Sequence, residues 1–249
     1  MTSPVQPRLI FVTGTDTDVG KTVLTSLLLC HLRAADRPAL AIKPFCSGGR
    51  ADAELLCALQ GGELTLDKVN PFHFPEPISP LVAARRHRRE IKFLDALNHI
   101  RSVAASLIHP STHQSINPTP ILLIEGAGGL LSPLGEGFNA LDLIGSLRCE
   151  AVVVARNKLG TINHTLLTVK VLHAAALRSP SRFRALVKVV LMGARKEDLS
   201  SASNTAVLRE QLAPVPLLAL PYLGRNCHST TAIMNSSKKI KKILAQVLS

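Results

Sequence analysis

Aromatic residues make up only 3% of the 249-residue sequence, with no tryptophan and a single tyrosine. A surface that stacks nucleic-acid bases would have few side chains to build from. Acidic residues are also scarce, 17 against 29 lysines and arginines, for a formal net charge of +12. That balance suits either a nucleic-acid partner or a solvated basic surface. The shortage of aromatics favours the second, so no nucleic-acid partner is expected. The densest basic run, residues 85–92, then reads as a solvated turn, although a phosphate-rich ligand would still benefit from the field. No apolar run reaches the ~18 residues that a membrane span requires, so no membrane partner is expected. The first eight residues lack the charged-then-apolar layout of a secretion signal. The five cysteines, Cys30, Cys46, Cys57, Cys149 and Cys227, are odd in number and form no C-x-x-C pair. That argues against a disulfide framework or a zinc site and points to a reducing cytoplasm.

What the sequence does have is apolar character, 46% of residues, arranged as short runs alternating with helical patterns. Strands are predicted over residues 9–12, 39–45, 121–125, 151–155, 185–191 and 215–220. Helices are predicted over 21–35, 52–60, 81–87, 93–108, 139–147, 163–176, 204–212 and 231–248, with a proline-rich loop over 70–80. Continuous apolar strands separated by helices imply an α/β fold, a mainly parallel central sheet covered on both faces. No repeat or linker divides the chain, so one domain over 1–249 is expected. Ligands of such sheets bind at the carboxyl ends of the strands.

The stretch Thr13-Gly14-Thr15-Asp16-Thr17-Asp18-Val19-Gly20-Lys21-Thr22 joins the first strand to the first helix. That is the context of a phosphate loop, and it makes the fold a P-loop NTPase-type three-layer sandwich. Backbone N–H groups of the loop and helix N-terminus face the phosphates. Gly20 permits close approach, Lys21 places a cation at the β- and γ-phosphates, and Thr22 offers a hydroxyl to Mg²⁺. The usual spacing puts glycine at position 15, but here it is Gly14.

A nucleoside triphosphate arrives with magnesium, which prefers oxygen ligands from a hydroxyl and one or two carboxylates. Glu125 ends the third strand and precedes Gly126-Ala127-Gly128-Gly129, at the mouth of the sheet. Asp52, beyond the second strand, is the other candidate, and a helix N-cap is its alternative role. Lys43 interrupts an apolar strand just before Pro44. It either reaches a partner in the phosphate cleft or snorkels to water. Ser47 lies just beyond it. Lys21, Lys43, Asp52 and Glu125 are expected to meet at one cleft.

Five blocks, in order, resemble the dethiobiotin synthetase family. They are the phosphate loop with its early glycine, residues 42–48 (similar to K-P-x-x-S-G), residues 70–80 (N-P-x-x-F-x-x-P-x-S-P), residues 125–129 (E-G-A-G-G) and residues 158–164 (K-L-G-x-I-N-H). The resemblance implies an ATP-dependent cyclo-ligase of biotin biosynthesis. Such enzymes carboxylate 7,8-diaminononanoate with carbon dioxide, phosphorylate the carbamate and close a ureido ring. It further implies that Lys43 stabilises the carbamate, Ser47 contacts the diamine, and Lys21 stabilises the transferring phosphoryl group. Thr22, Asp52 and Glu125 would hold magnesium. Asp18, Val19, Gly20, Lys21, Thr22, Val23, Asp52, Glu125, Gly126, Ala127 and Gly128 would line the nucleotide site, with Leu220, Pro221 and Tyr222 near the base. The family works as a homodimer, which would let Gly160, Thr161 and Asn163 reach a partner's site. Beyond about residue 165 the likeness thins. Where the family often ends its fifth strand with an adenine-reading asparagine, this chain has Met192-Gly193.

Two other functions fit the same loop. Related amide-forming ligases carry an added glutamine-hydrolysing domain, which is not expected here. A membrane-cycling or partition ATPase draws support from Ile240, Ile243, Leu244, Val247 and Leu248, an apolar stripe beside four lysines. Docking of that stripe on the protein's own core is the expected alternative, and such ATPases carry a second lysine early in the loop, which is missing here.

Overall fold

A computed structural model describes residues 6–108, 118–181, 187–196, 199–224 and 227–249. The chain begins with β1 (Arg8–Gly14), whose Ile10, Phe11 and Val12 are buried, and passes through the phosphate loop into α1 (Lys21–Arg33). Then come β2 (Ala39–Ile42), β3 (Phe45–Ser47), α2 (Ala51–Leu59), α3 (Leu66–Val69), β4 (Phe72–Phe74), α4 (Pro80–Arg86) and α5 (Phe93–Ser106). The middle of the chain holds β5 (Ile121–Glu125), the small hairpin β6 (Pro133–Gly135) and β7 (Phe138–Asn139), α6 (Ala140–Leu147), β8 (Glu150–Arg156) and α7 (Thr161–Arg178). It ends with β9 (Val187–Met192), α8 (Leu199–Leu212), β10 (Leu217–Leu220), α9 (Thr230–Lys239) and α10 (Lys241–Leu248).

Among the described residues, six strands form one sheet in the order β10-β9-β8-β1-β5-β2, and every pairing in it is parallel. All five residues of β5 are buried, as a strand covered on both faces demands. The chain first builds outward from β1 to β2 on one side, fills the gap with β5, and then continues on the other side with β8, β9 and β10. The reversal at β1 is a topological switch point, and the crevice above it opens where the phosphate loop leaves the strand.

Two predicted elements divide. The strand expected over 39–45 stops at Ile42, because Pro44 has no N–H to continue the ladder. Lys43 instead donates its N–H to Val69 O (3.0 Å), and β3 pairs in parallel with β4. β4 lies inside the stretch expected to be a proline-rich loop. The last helix breaks at Ile240, whose ψ of 21° departs from helical geometry, into α9 and α10. The strand expected over 185–191 begins, at 185 and 186, outside the described residues.

The C-terminal stripe packs on the protein itself. Ile240, Leu244, Val247 and Leu248 belong to the same buried cluster as β1 and α1, and Ile243 packs against it. The last carbonyls of α10, which have no partner within the helix, are taken by cations. Arg8 donates to Leu248 O, and Lys188 Nζ donates to Gln246 O (3.2 Å) and Val247 O (3.1 Å). Both cations favour the negative end of the helix dipole. Arg8 is itself held by a two-pronged pair with Glu150 (2.8 and 2.5 Å). No helix among the described residues is long and apolar enough to cross a membrane.

Candidate active site

The early glycine of the phosphate loop has a steric cause. A Cβ on Gly14 would sit 2.8 Å from Val19 Cγ2 and 2.9 Å from Asp16 O, so only glycine lets the loop fold back over the end of β1. Gly20 caps α1 at φ 102°, in the left-handed region that glycine enters without penalty. The loop thus delivers Lys21 and Thr22 to the first turn of α1. Lys21 Nζ donates to Asp16 O (2.8 Å), which ties the lysine across its own loop. Burial depresses its pKa to about 8, although Glu125 opposes the shift. The carboxylates of Glu125, Asp18 and Asp16 offset its desolvation only in part.

Opposite the loop, four side chains converge. Thr22 Oγ1 donates to Glu125 Oε1 (2.6 Å). Lys43 Nζ bridges Glu125 Oε1 (2.7 Å) and Asp52 Oδ2, and stands 3.3 Å from Thr22 Oγ1. Burial alone would lower the pKa of Lys43, but Glu125 and Asp52 outweigh it and raise the pKa above the usual lysine value. Burial likewise pushes the Asp52 carboxyl up, and Lys43 overcomes this to hold it below its ordinary value. Both alternatives left open by the sequence are resolved. α2 has Arg50 at its N-cap position, so Asp52 sits inside the first turn and not at the cap. Lys43 does not snorkel, since its side chain is 10% exposed and is held by carboxylates.

Glu125 is fully buried, and its Oε2 has no hydrogen-bond partner. An orphaned carboxylate oxygen in a dry site is costly unless something cationic uses it. A hydroxyl and two carboxylates are the hard oxygen donors that magnesium prefers, so the residues present fit that ion. Among the described residues no group of three or more His, Cys, Asp or Glu is placed to hold a metal ion.

These groups line one cleft of about 810 Å³. Lys21, Lys43, Asp52 and Glu125 all face it, as do Asp18, Val19, Gly20, Thr22, Val23, Ser47, Ala127, Gly128, Pro221 and Tyr222. Gly126 does not, because its N–H is spent on Val12 O (2.9 Å), and Leu220 is turned into the core. Gly160, Thr161 and Asn163 also lie outside the cleft, at the start of α7, where Gly160 and Asn163 are exposed and Leu159 is 81% exposed. A second cavity of about 650 Å³ lies among α5, α6 and α7, and none of the predicted site residues lines it.

Sequence reasoning missed several contributors. Asn70 Nδ2 donates to Lys43 O (2.9 Å) and Pro44 O (3.3 Å), and so fixes the turn that aims Lys43. Arg50 Nη2 in turn donates to Asn70 O (2.9 Å). Ser132 Oγ accepts from Gly129 N (2.9 Å) and lines the cleft. Arg156, Cys227 and His228 complete the wall. Only Asn70 had a signal, as the first residue of the block at 70–80. Cys46 lines the cleft too, but burial pushes its thiol up to about 12, which leaves it unreactive.

A phosphate loop at the switch point of a parallel sheet, with a hydroxyl and two carboxylates facing it, defines a P-loop nucleotide-binding protein of the α/β class. A family model described as an AAA domain matches residues 8–225. The ATP-dependent dethiobiotin synthetase of Anaeromyxobacter sp. (strain Fw109-5) is 37% identical over 221 residues, covering 87% of this chain and 91% of the relative. That of Bacillus licheniformis is 35% identical over 216 residues, covering 84% and 83%. The chain belongs to the ATP-dependent dethiobiotin synthetase family. Among solved structures, a putative plasmid partition protein of Borrelia burgdorferi B31 bound to AMPPNP aligns at a TM-score of 0.57 with 10% identity, covering 98% of this chain and 99% of that one. The McdA–ATP complex of Cyanothece aligns at 0.55 with 11% identity, covering 97% and 95%. At that identity the likeness speaks for the fold alone.

Proposed function

We propose that this protein is a dethiobiotin synthetase that uses ATP and carbon dioxide to convert 7,8-diaminononanoate into dethiobiotin. The observation that carries the reading is the second lysine. A plain nucleotide hydrolase needs the phosphate-loop lysine, whereas Lys43 adds a second buried ammonium 3.3 Å from the Thr22 hydroxyl. That is where a second anion, the carbamate, would meet the γ-phosphate.

In the proposed chemistry one amine of the substrate attacks carbon dioxide and loses a proton, giving a carbamate. Lys43 holds the carbamate oxygen beside the γ-phosphorus, and Ser47 orients the diamine. Carbamate oxygen attacks phosphorus, the bond to the bridging oxygen breaks, and ADP leaves while Lys21 neutralises the transferring charge. The second amine then attacks the carbonyl of the mixed anhydride and expels phosphate, closing the ureido ring. Positioning and charge neutralisation suffice for such transfers, without a protein nucleophile. Thr22, Asp52 and Glu125 would hold magnesium, which when bound neutralises β- and γ-phosphate oxygens. Asp18, Val19, Gly20, Val23, Ala127 and Gly128 would complete the phosphate cradle, and Pro221 and Tyr222 would flank the base.

We also propose a homodimer. Gly160, Thr161 and Asn163 do not line their own cleft, and exposed Leu159 and Leu167 beside them would be covered by a partner. The five cysteines are free thiols, in keeping with a cytoplasmic enzyme. The membrane-cycling alternative is less supported, because its apolar stripe is spent on the core.

Isotopically labelled bicarbonate with Mg-ATP and the diamine tests the proposal. Label should appear in a cyclic urea, with ADP formed only when the diamine is present. ADP release that ignores the diamine would reject it.

A further inference from the structure

The phosphate cleft has two ends. One runs past Lys43 and Ser47 toward Pro77 and Ser79, and is taken by the diamine in the reading above. The other runs from Gly20 along the ends of β8, β9 and β10, where Arg156, Met192, Gly193, Pro221, Tyr222 and Leu223 form the wall. With the phosphates at the loop, the nucleoside base falls at this second end.

Adenine presents an amino donor beside a ring-nitrogen acceptor, so a side chain that reads it offers one acceptor and one donor, as asparagine and glutamine do. No asparagine or glutamine side chain faces this end among the described residues. Asn157 and Asn204, the nearest amides, are tied to each other and to backbone. Asn204 Nδ2 donates to Asn157 Oδ1 (2.8 Å), and Asn157 Nδ2 donates to Ser201 O (2.9 Å). Neither lines the cleft. At the end of β9 stands Met192, whose thioether arm lies over Gly20, within 3.1 Å of where a Cβ there would be. It is an apolar, adaptable wall with no donor. Its register partner on β8 is Arg156. Arg156 is exposed into the cleft and has no hydrogen-bond or ion-pair partner among the described residues. A guanidinium offers donors only, in a fork that fits two adjacent acceptors, the arrangement of a guanine edge with its ring nitrogen and keto oxygen.

We propose that Arg156 reads a keto-bearing base edge, so that this chain uses GTP alongside ATP and does not discriminate sharply between them. The inference rests on the reading of the cleft as a nucleoside triphosphate site. A pocket that pairs an adenine edge with buried polar side chains rejects other bases by orders of magnitude, whereas an apolar wall discriminates only weakly. Here the apolar wall is Met192, and the unpaired guanidinium of Arg156 favours the other purine.

Calorimetric titration of the full-length chain with ADP and with GDP, each with magnesium, reads the base preference without any diamine. The two dissociation constants are expected within about tenfold of each other. Arg156→Ala should weaken GDP at least about tenfold more than ADP, and Met192→Asn should move the ratio toward ADP by about tenfold. ADP favoured by more than about tenfold in the unmodified chain would overturn the proposal. So would an Arg156→Ala variant that loses both nucleotides equally, since that marks a phosphate or ribose contact. Binding of neither nucleotide overturns both this inference and the nucleotide-site reading. If instead the nucleotides bind but labelled bicarbonate never enters a cyclic urea with ATP or with GTP, only the synthetase reading fails, and the ADP-to-GDP ratio still decides the role of Arg156.

Discussion

Replacement of Lys43 by glutamine separates binding from chemistry in this cleft. The Lys43 ammonium is engaged by Glu125 at 2.7 Å and by Asp52, the two carboxylates proposed to hold magnesium. Arrival of Mg-ATP would claim those oxygens and release Lys43 toward the carbamate. Lysine and dication would then compete for the same acceptors in the ground state, and the lysine would help only once the second anion is in place. Lys43→Gln keeps a hydrogen-bond donor on a side chain one bond shorter but removes the charge. Nucleotide affinity should change less than about threefold, because the lost cation competed with the metal it would otherwise assist. Turnover should fall about 10²- to 10³-fold, the cost of removing one preorganised group at developing charge, or about 2.7–4 kcal/mol. Steady-state kinetics at saturating diamine and bicarbonate, beside titration with ADP, give both numbers. Unchanged turnover would remove Lys43 from the chemistry. A large loss of ADP affinity with turnover preserved would make it a nucleotide ligand and refute the competition argument.

Further outcomes follow from the cleft and from the packing of α10. Glu125→Gln should raise the magnesium concentration needed for half-maximal activity at least about tenfold, since it removes the charge from a buried ligand whose Oε2 is unpartnered; an unchanged magnesium requirement would exclude Glu125 as a ligand. Lys21, lowered to about 8 by burial, should be partly neutral at pH 8.5 and regain its proton when phosphates bind. ADP affinity should therefore fall as pH rises past about 8, with proton uptake seen as a buffer-dependent binding enthalpy, and a buffer-independent enthalpy at pH 8.5 would contradict it. The sign reverses for the nucleotide-free fold: the unfolded chain holds the Lys21 proton up to 10.5, so this group makes folding more favourable as pH climbs from about 8 to 10.5. Leu244→Ala, at a fully buried position of α10, should cost about 2–5 kcal/mol and lower the melting temperature by roughly 2–4 °C per kcal/mol. Vesicles of neutral lipid should not bind the unmodified chain, and their binding through α10 would show that the stripe leaves the core.

The strand ends were legible because they obey local rules. An apolar run followed by a glycine-rich turn and a helix is enough to place Gly20, Lys21 and Thr22, and Glu125 at the tip of β5 follows from the same logic. The early Gly14 could be seen but not explained until the fold brought Val19 and Asp16 against it. Lys43 shows where local reading stops. A lysine before a proline is ambiguous in sequence, because its role depends on Asp52 and Glu125, 9 and 82 residues away. What settles its direction is Asn70, which clamps the Lys43–Pro44 turn from a segment that carried no helical or strand pattern. The short strand β4 was invisible for the same reason: three residues among prolines become a strand only because β3, displaced by Pro44 from the main sheet, needs a partner. The base end was the least legible part. Arg156 and Met192 are 36 residues apart in sequence and become neighbours only through the β8–β9 register. A departure that reads as a missing asparagine in the sequence therefore becomes, in space, an unpaired arginine beside an apolar wall.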